Sequence, residues 1–239
     1  KDVSDYVYIT CDGVGEGETM SIYIIENDYK IKKIWANFYP NSIGLLYSTI
    51  TDYLGFEINE GEFKVMSLSS FGKPIYEKEL KKMFDINNFT INMDYFEFHK
   101  SPSKSFSKKL CEVFGEPYLN INEEANFNKY ADIASSTQLI LEHTMKNLIQ
   151  KAIHLSGKRK VVLTGGVALN CKMIHSLSKQ SIFEEMIVPP SPGDSGSAIG
   201  AANFAFLEKS KNRILNFNNI FLGPKKNFIN KKESRDNFF

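Results

Sequence analysis

Hydrophobic and β-branched residues cluster in short runs near the start of the chain, and each run ends in turn formers. "YVYITC" (Tyr6 to Cys11) stops at Asp12-Gly13-Val14-Gly15-Glu16-Gly17, and "TMSIYIIE" (Thr19 to Glu26) stops at Asn27-Asp28. "KIKKIWANF" (Lys30 to Phe38) then alternates with period two. Three such runs joined by Gly-, Asn- and Asp-bearing turns predict an antiparallel meander. The period changes at Ser42 to Phe56, where Ile43, Leu46, Tyr47, Ile50 and Leu54 fall on one helical face and Gly55 is a stop. Gly61 to Gly72, "GEFKVMSLSSFG", reads as an ordered loop with a short helical turn. A short helix is expected over Ile75 to Phe84 and a strand or hairpin over Phe89 to Phe98. The stretch from Ser101 to Asn126 is polar, carries Pro102 and Pro117, and gives no clear element. Ile133, Thr137, Ile140, Leu141, Met145, Leu148 and Ile153 keep helical spacing, so a long helix over Asn128 to Ser156 is expected, ended by Gly157.

Beyond Gly157 the pattern becomes strand, helix, strand, helix. "KVVLT" (Lys160 to Thr164) is an apolar strand that breaks at Gly165-Gly166, and Ala168 to Lys179 is helical. "EEMIVPP" is another buried strand, followed by "SPGDSG" and a helix from Ser195 to Lys209. Strands separated by helices at this spacing imply parallel pairing with crossovers. The expected fold class is therefore α/β with a mixed sheet, a meander followed by parallel strands. This is the topology of a ribonuclease-H-like lobe, the unit that builds the actin, sugar-kinase and Hsp70 nucleotide-binding fold.

Gly193-Asp194-Ser195-Gly196 also spells the nucleophile segment of a trypsin-like protease. That chemistry needs a histidine ahead of the serine, a buried aspartate to orient it, and two β-barrels. Here His143 and His154 fall in the long helix, none of the four histidines sits in a small-residue loop after a strand, and "GSAIGAANFAF" is helical where a barrel strand should follow. A loop that grips an anion or a metal fits better. "DGVGEGE" and "PGDSGSAIG" each set an aspartate beside glycines, so that backbone N–H groups can approach an anion while Asp12 and Asp194 hold a metal or orient a hydroxyl. Gly165-Gly166 completes the set, since glycine lets a purine or ribose lie against the backbone. Asp12 as a turn cap and Asp194 as a helix N-cap are the bland alternatives.

Composition narrows the setting. The 239 residues are 42% hydrophobic, enough for a sizeable core, and the net charge of +1 gives no reason to expect nucleic acid or an anionic membrane as a partner. The apolar runs are too short to span a bilayer, and no signal-peptide pattern opens the sequence. Cys11, Cys111 and Cys171 are few and scattered, which suits a reduced, cytoplasmic location.

Four segments, "PNSIGLLYSTITDYLGF" (Pro40 to Phe56), "GEFKVMSLSSFG", "LTGGVALNCKM" (Leu163 to Met173) and "PGDSGSAIGAA" (Pro192 to Ala202), resemble in order the N-terminal domain of the O-carbamoyltransferase family; "DGVGE" and "ADIASSTQLILE" (Ala131 to Glu142) match as well. This family includes nodulation-factor and antibiotic carbamoyltransferases. The resemblance implies a biosynthetic transferase in which a YrdC-like C-terminal domain makes carbamoyl-adenylate from ATP and carbamoyl phosphate. The actin-like domain then passes the carbamoyl group to a hydroxyl of a saccharide or antibiotic acceptor beside a divalent metal, Fe(II). It further implies that Asp12 and Asp194 are the catalytic, metal-side carboxylates. On the same basis Gly165, Gly166 and Asn170 contact the adenosine, Gly13, Gly15 and Gly193 form the phosphate turns, and Lys64 faces the phosphate.

The departures are specific. The family carries a His-x-x-x-His-type pair ahead of the Asp-Gly-Val-Gly turn, whereas the histidines here lie at 99, 143, 154 and 175. Ser67, Ser69, Ser70 and Phe71 replace the Gly, Ala, Pro and Tyr usual in that loop. The expectation is thus one lobe, residues 1–222 with an insert at about 57–127, followed by the start of a linker at 223–239. An upstream lobe and the YrdC-like domain would be its partners, and the lobe alone would not turn over. An actin-fold sugar kinase, a non-catalytic scaffold lobe and a threonylcarbamoyl transferase acting on tRNA are the competing readings, the last disfavoured by the near-neutral charge.

Overall fold

The structure, a computed structural model, describes residues 2–26, 30–100 and 104–210. Residues 1–197 form one compact unit, and the described residues from 198 to 210 fall outside it. That unit holds every element discussed below except most of the last helix.

Strands β1 (Tyr6–Cys11), β2 (Glu18–Ile25) and β3 (Ile31–Phe38) form the expected meander, with β1 antiparallel to β2 and β2 to β3. The turn expected at Asn27-Asp28 lies outside the described residues. Helices α1 (Ile43–Tyr53), α2 (Glu62–Leu68) and α3 (Glu77–Met83) follow, then a two-residue hairpin of β4 (Phe84–Asp85) and β5 (Thr90–Ile91). Next come α4 (Lys108–Phe114), the long α5 (Glu124–Ser156), β6 (Lys160–Thr164), α6 (Cys171–Ser178), β7 (Glu185–Ile187) and α7 (Ser197–Ser210). The main sheet has the order β3-β2-β1-β6-β7, and β1–β6 and β6–β7 are parallel. The chain is therefore mixed α/β, with a five-stranded mixed sheet and seven α-helices among the described residues.

Alternation decides which face of the sheet is buried. Val7, Ile9 and Cys11 on β1, Met20 and Ile22 on β2, and Val161 and Leu163 on β6 are completely buried, whereas Tyr8, Thr10, Val162 and Thr164 on the other face are only half-buried. The same core takes Leu46, Ile50 and Tyr53 from α1 and Ile133, Ile140, Met145 and Leu148 from α5. Each such side chain contributes about 2 kcal/mol by leaving water. α5 packs against α1, α2, α3, α6 and β1, so it is the spine of this unit.

Several elements depart from expectation. The hairpin expected over Phe89 to Phe98 shrinks to β5, and a 3₁₀ turn (Met93–Tyr95) follows, because Asn92 Oδ1 accepts the Asp94 N–H and turns the chain. The polar stretch contains α4, capped by Ser107, whose Oγ accepts the Leu110 N–H at 3.4 Å. α5 begins at Glu124, four residues before the expected start, as Phe127 N–H already bonds Glu123 O. The helix expected over Ala168 to Lys179 is broken in two: a 3₁₀ turn (Gly166–Leu169), then α6, with Asn170 capping the second piece.

Candidate functional site

Parallel pairing of β1, β6 and β7 sets their C-terminal ends at one edge of the sheet, where open α/β sheets present ligand-binding turns. The turn after β1 is closed by Asp12 N–H to Thr19 O (2.9 Å) and Gly15 N–H to Glu18 O (2.8 Å). The Asp12 carboxylate accepts the Gly13 N–H at 2.9 Å. α1 starts directly against this turn. Ser42 Oγ donates to Asp12 O at 3.1 Å and, as the N-cap, accepts Leu45 N–H at 3.0 Å; a Cβ on Gly44 would stand 2.7 Å from Asp12 O.

The turn after β6 meets both neighbours. Gly165, at φ 93°, donates its N–H to Pro192 O at 2.7 Å, and a Cβ there would lie 2.1 Å from Cys11 O. Only glycine combines that backbone angle with that approach. A Cβ on Gly166 would fall 2.8 Å from Asp12 Oδ1, and one on Gly193 would fall 3.9 Å from Gly166 Cα. The turn after β6 thus touches both of the other glycine-bearing turns singled out in the sequence.

They form one end of a cavity of about 1000 Å³. Asp12, Gly13, Gly166, Asn170, Gly193 and Asp194 all line it. Gly15, Lys64 and Gly165 do not: Gly15 closes the β1–β2 turn, Gly165 supports Gly166 from behind, and Lys64 Nζ lies over the rings of Phe56 (5.6 Å) and Phe63 (5.9 Å). The other end is built along α1 and α2 from Ser48, Thr49, Asn59, Glu60, Glu62 and Phe63, with Phe98 and Ser105 from the insert as part of the wall. Glu62 Oε1 accepts Ser48 Oγ–H (2.7 Å) and Asn59 N–H (3.1 Å). Asp52 holds the insert in place, accepting from Ser105 Oγ and, at 3.1 Å, from Tyr118 Oη.

Reading the sequence missed Gly44, Tyr47, Glu62 and Gln138. Gly44 and Glu62 lay within segments already matched to a family, and the capping spacing Asn59-to-Glu62 was a usable signal. Tyr47 read as a helix-face residue and Gln138 was given no role, and only the packing of α1 on α5 brings them together. Tyr47 Oη donates to Gln138 Oε1 (3.2 Å), and burial pushes the Tyr47 hydroxyl well above its ordinary value, against the opposing effect of the Asn170 amide. Burial likewise pushes the Cys11 thiol up, so this cysteine is a small core hydrophobe, as its composition suggested. Cys171 is exposed, with Sγ 3.7 Å from Met66 Sδ.

The cavity lining is acidic. Asp12, Glu60, Glu62 and Asp194 belong to it, and among the described residues no lysine, arginine or histidine does. Among the described residues no group of three or more His, Cys, Asp or Glu side chains could hold a metal ion. Asp12 and Asp194 by themselves fall short of the ligand set an iron-type ion needs.

These turns and their aspartates close one cavity of a mixed α/β unit. The chain belongs to the carbamoyltransferase N-terminus family, whose model matches residues 4–203. An uncharacterized protein of Synechocystis sp. is 34% identical over 83% of this chain and 32% of its own length. Nodulation protein NolNO of Sinorhizobium fredii is 27% identical over 81% of this chain and 27% of its own. An uncharacterized protein of Methanocaldococcus jannaschii is 31% identical over 93% of this chain and 40% of its own. The chain therefore spans about a third of the length of the curated relatives it matches. No helix among the described residues is long and apolar enough to cross a membrane.

Proposed function

We propose that this chain is the adenylate-binding part of an O-carbamoyltransferase, folded as a ribonuclease-H-like lobe. Three turns from the ends of parallel strands meet with two aspartates at one end of a roomy cavity, in a chain of the carbamoyltransferase N-terminus family; that convergence carries the reading. The strand order, a meander on one side of β1 and parallel strands on the other, supports the lobe assignment.

On this reading carbamoyl-adenylate binds with its adenosine against Gly166 and Asn170 and its phosphate toward the turns at Gly13 and Gly193. The oxygen of an acceptor hydroxyl attacks the carbamoyl carbon. A new C–O bond forms, the C–O bond to the phosphate breaks, and AMP leaves with that electron pair while the hydroxyl proton passes to a base. The cavity holds adenylate and acceptor together, which removes most of the entropic cost of their meeting. Asp12 and Asp194 serve as carboxylates at the reacting end. The divalent ion the family resemblance implies would need ligands from outside the described residues, so no step is assigned to it. The acceptor is a hydroxylated saccharide or antibiotic-like molecule, the setting is cytoplasmic, and an upstream lobe and a YrdC-like domain complete the enzyme.

The test is calorimetric titration of AMP into the 239-residue chain and into Gly166→Ala. The parent should bind, and the added methyl, by displacing the Asp12 carboxylate, should weaken binding about tenfold. A folded parent that takes up no AMP overturns the reading.

A further inference from the structure

Gln138 does not line the cavity, yet it holds two residues that do. It is buried on α5 at 2% exposure, and its amide meets that of Asn170 head to head. Gln138 Nε2 donates to Asn170 Oδ1 at 3.0 Å, and Asn170 Nδ2 donates to Gln138 Oε1 at 2.9 Å. The same Gln138 Oε1 accepts the Tyr47 hydroxyl at 3.2 Å, and Nε2 also donates to Glu142 Oε1 at 3.0 Å. One side chain thereby joins α5 to α1 and to the turn after β6, three of the elements around the cavity.

Orientation within this cluster follows from one fixed donor. The Met173 backbone N–H donates to Asn170 Oδ1 at 2.9 Å, and an N–H can only face an oxygen. That sets which end of the Asn170 amide is which. The Gln138 amide must then point its nitrogen at Asn170 Oδ1 and its oxygen at Asn170 Nδ2. The Tyr47 proton is consequently spent on Gln138 Oε1. Both lone-pair sites of Asn170 Oδ1 are taken, as is one hydrogen of Nδ2. Among the described residues the second Nδ2 hydrogen has only the Tyr47 oxygen, at 3.5 Å, which is at the outer limit of a hydrogen bond.

We propose that Gln138 is a positioning residue that locks the Asn170 amide so that this loosely held Nδ2 hydrogen is the donor offered to the ligand. The ligand group it suits is a neutral acceptor, a purine ring nitrogen or a ribose oxygen. The proposal rests on the adenylate reading above. It adds to that reading a residue outside the cavity and the direction of a single hydrogen bond.

The experiment compares the parent chain, Gln138→Leu, Gln138→Glu and Thr137→Val. Thr137→Val removes a neighbouring buried hydroxyl of α5, whose only bond is to Ile133 O at 2.9 Å, and serves as the control. Two quantities are read for each protein: the AMP dissociation constant by calorimetry, and the ¹⁵N-resolved side-chain NH₂ resonances of Asn170. In the parent these two proton signals should be well separated and slow to exchange. Gln138→Leu should shift them toward the positions of a free amide, speed their exchange with water and weaken AMP binding about tenfold, the worth of one well-placed hydrogen bond, while Thr137→Val leaves both readouts as in the parent. In Gln138→Glu an ionised carboxylate faces Asn170 Oδ1 with no hydrogen to give, whereas the protonated acid can donate. Affinity in that variant should therefore fall more steeply with rising pH than that of the parent, in which the AMP phosphate itself titrates at about pH 6. Unaltered Asn170 signals or unaltered AMP affinity in a folded Gln138→Leu protein would overturn the proposal, as would an equal loss in Thr137→Val. If the parent itself binds no AMP, the adenylate reading fails on its own, and the Asn170 resonances still decide whether Gln138 holds the amide.

Discussion

The two ends of the cavity are built on different physical terms. At the glycine end the backbone packs tightly: the turn after β1 meets the turn after β6 and the start of α1 so closely that a single Cβ at Gly165 or Gly44 would collide with backbone within 3 Å, and one at Gly166 with the Asp12 carboxylate. At the far end side chains make the wall, through bonds such as Ser48 to Glu62 and Ser105 to Asp52. Backbone contact leaves little room for a larger side chain. A side-chain wall can be rebuilt residue by residue without disturbing the sheet. The difference fits a division in which the glycine end holds the constant part of the reaction, the adenylate, and the far end meets the acceptor.

The harshest way to break the glycine end is Gly165→Ala. A methyl 2.1 Å from Cys11 O, at φ 93°, should cost about 3 kcal/mol, read as a lower midpoint in urea unfolding. A cost below about 1 kcal/mol would mean that the turns are not held as tightly as the contacts imply. The far end should behave otherwise. Asp52→Asn leaves one oxygen for the hydroxyls of Ser105 and Tyr118 and should cost about 1 kcal/mol, with AMP affinity within twofold of the parent. Loss of AMP binding in Asp52→Asn would erase the distinction between the two ends.

The smallest effect lies outside both. The Asn88 side chain first, then the backbone N–H groups of Asn88 and Asn87, hold the Asp85 carboxyl below its ordinary value of 3.8 in the β4–β5 turn. A carboxyl depressed on folding stabilises the protein above its unfolded value, and the gain disappears as pH falls through the folded value. Thermal midpoints of the parent should therefore drop more steeply below about pH 4 than those of Asp85→Asn. Parallel curves would show that the turn draws nothing from this charge.

The glycine end was legible in the sequence because its physics is local. "GVGEG", "TGG" and "PGDSG" each follow an apolar β-rich run, and the strand–helix alternation says which strand ends share an edge. The meander and α1 were legible for the same reason, with edges off by a residue or two. The far wall was not. Phe98 and Ser105 come from a stretch whose composition gave no element, and they reach the cavity only because Phe96 and Phe106 form a bridge and Asp52 pulls Ser105 onto α1. Lys64, which the family resemblance set facing the phosphate, lies in the first turn of α2 with its Nζ over two aromatic rings. Asn170, which the resemblance set against the adenosine, does line the cavity, although its partner Gln138, 32 positions earlier, could be found only from packing.

The central claim is that an adenylate binds at the glycine end. Backbone amide shifts of the ¹⁵N-labelled chain, followed while AMP is added, test it most directly. The account predicts that Gly13, Gly166, Asn170, Gly193 and Asp194 move together along one saturable curve, while Asn59, Glu60 and Phe63 at the far end stay in place. Shifts confined to the far end, or scattered over the surface without saturation, would contradict it.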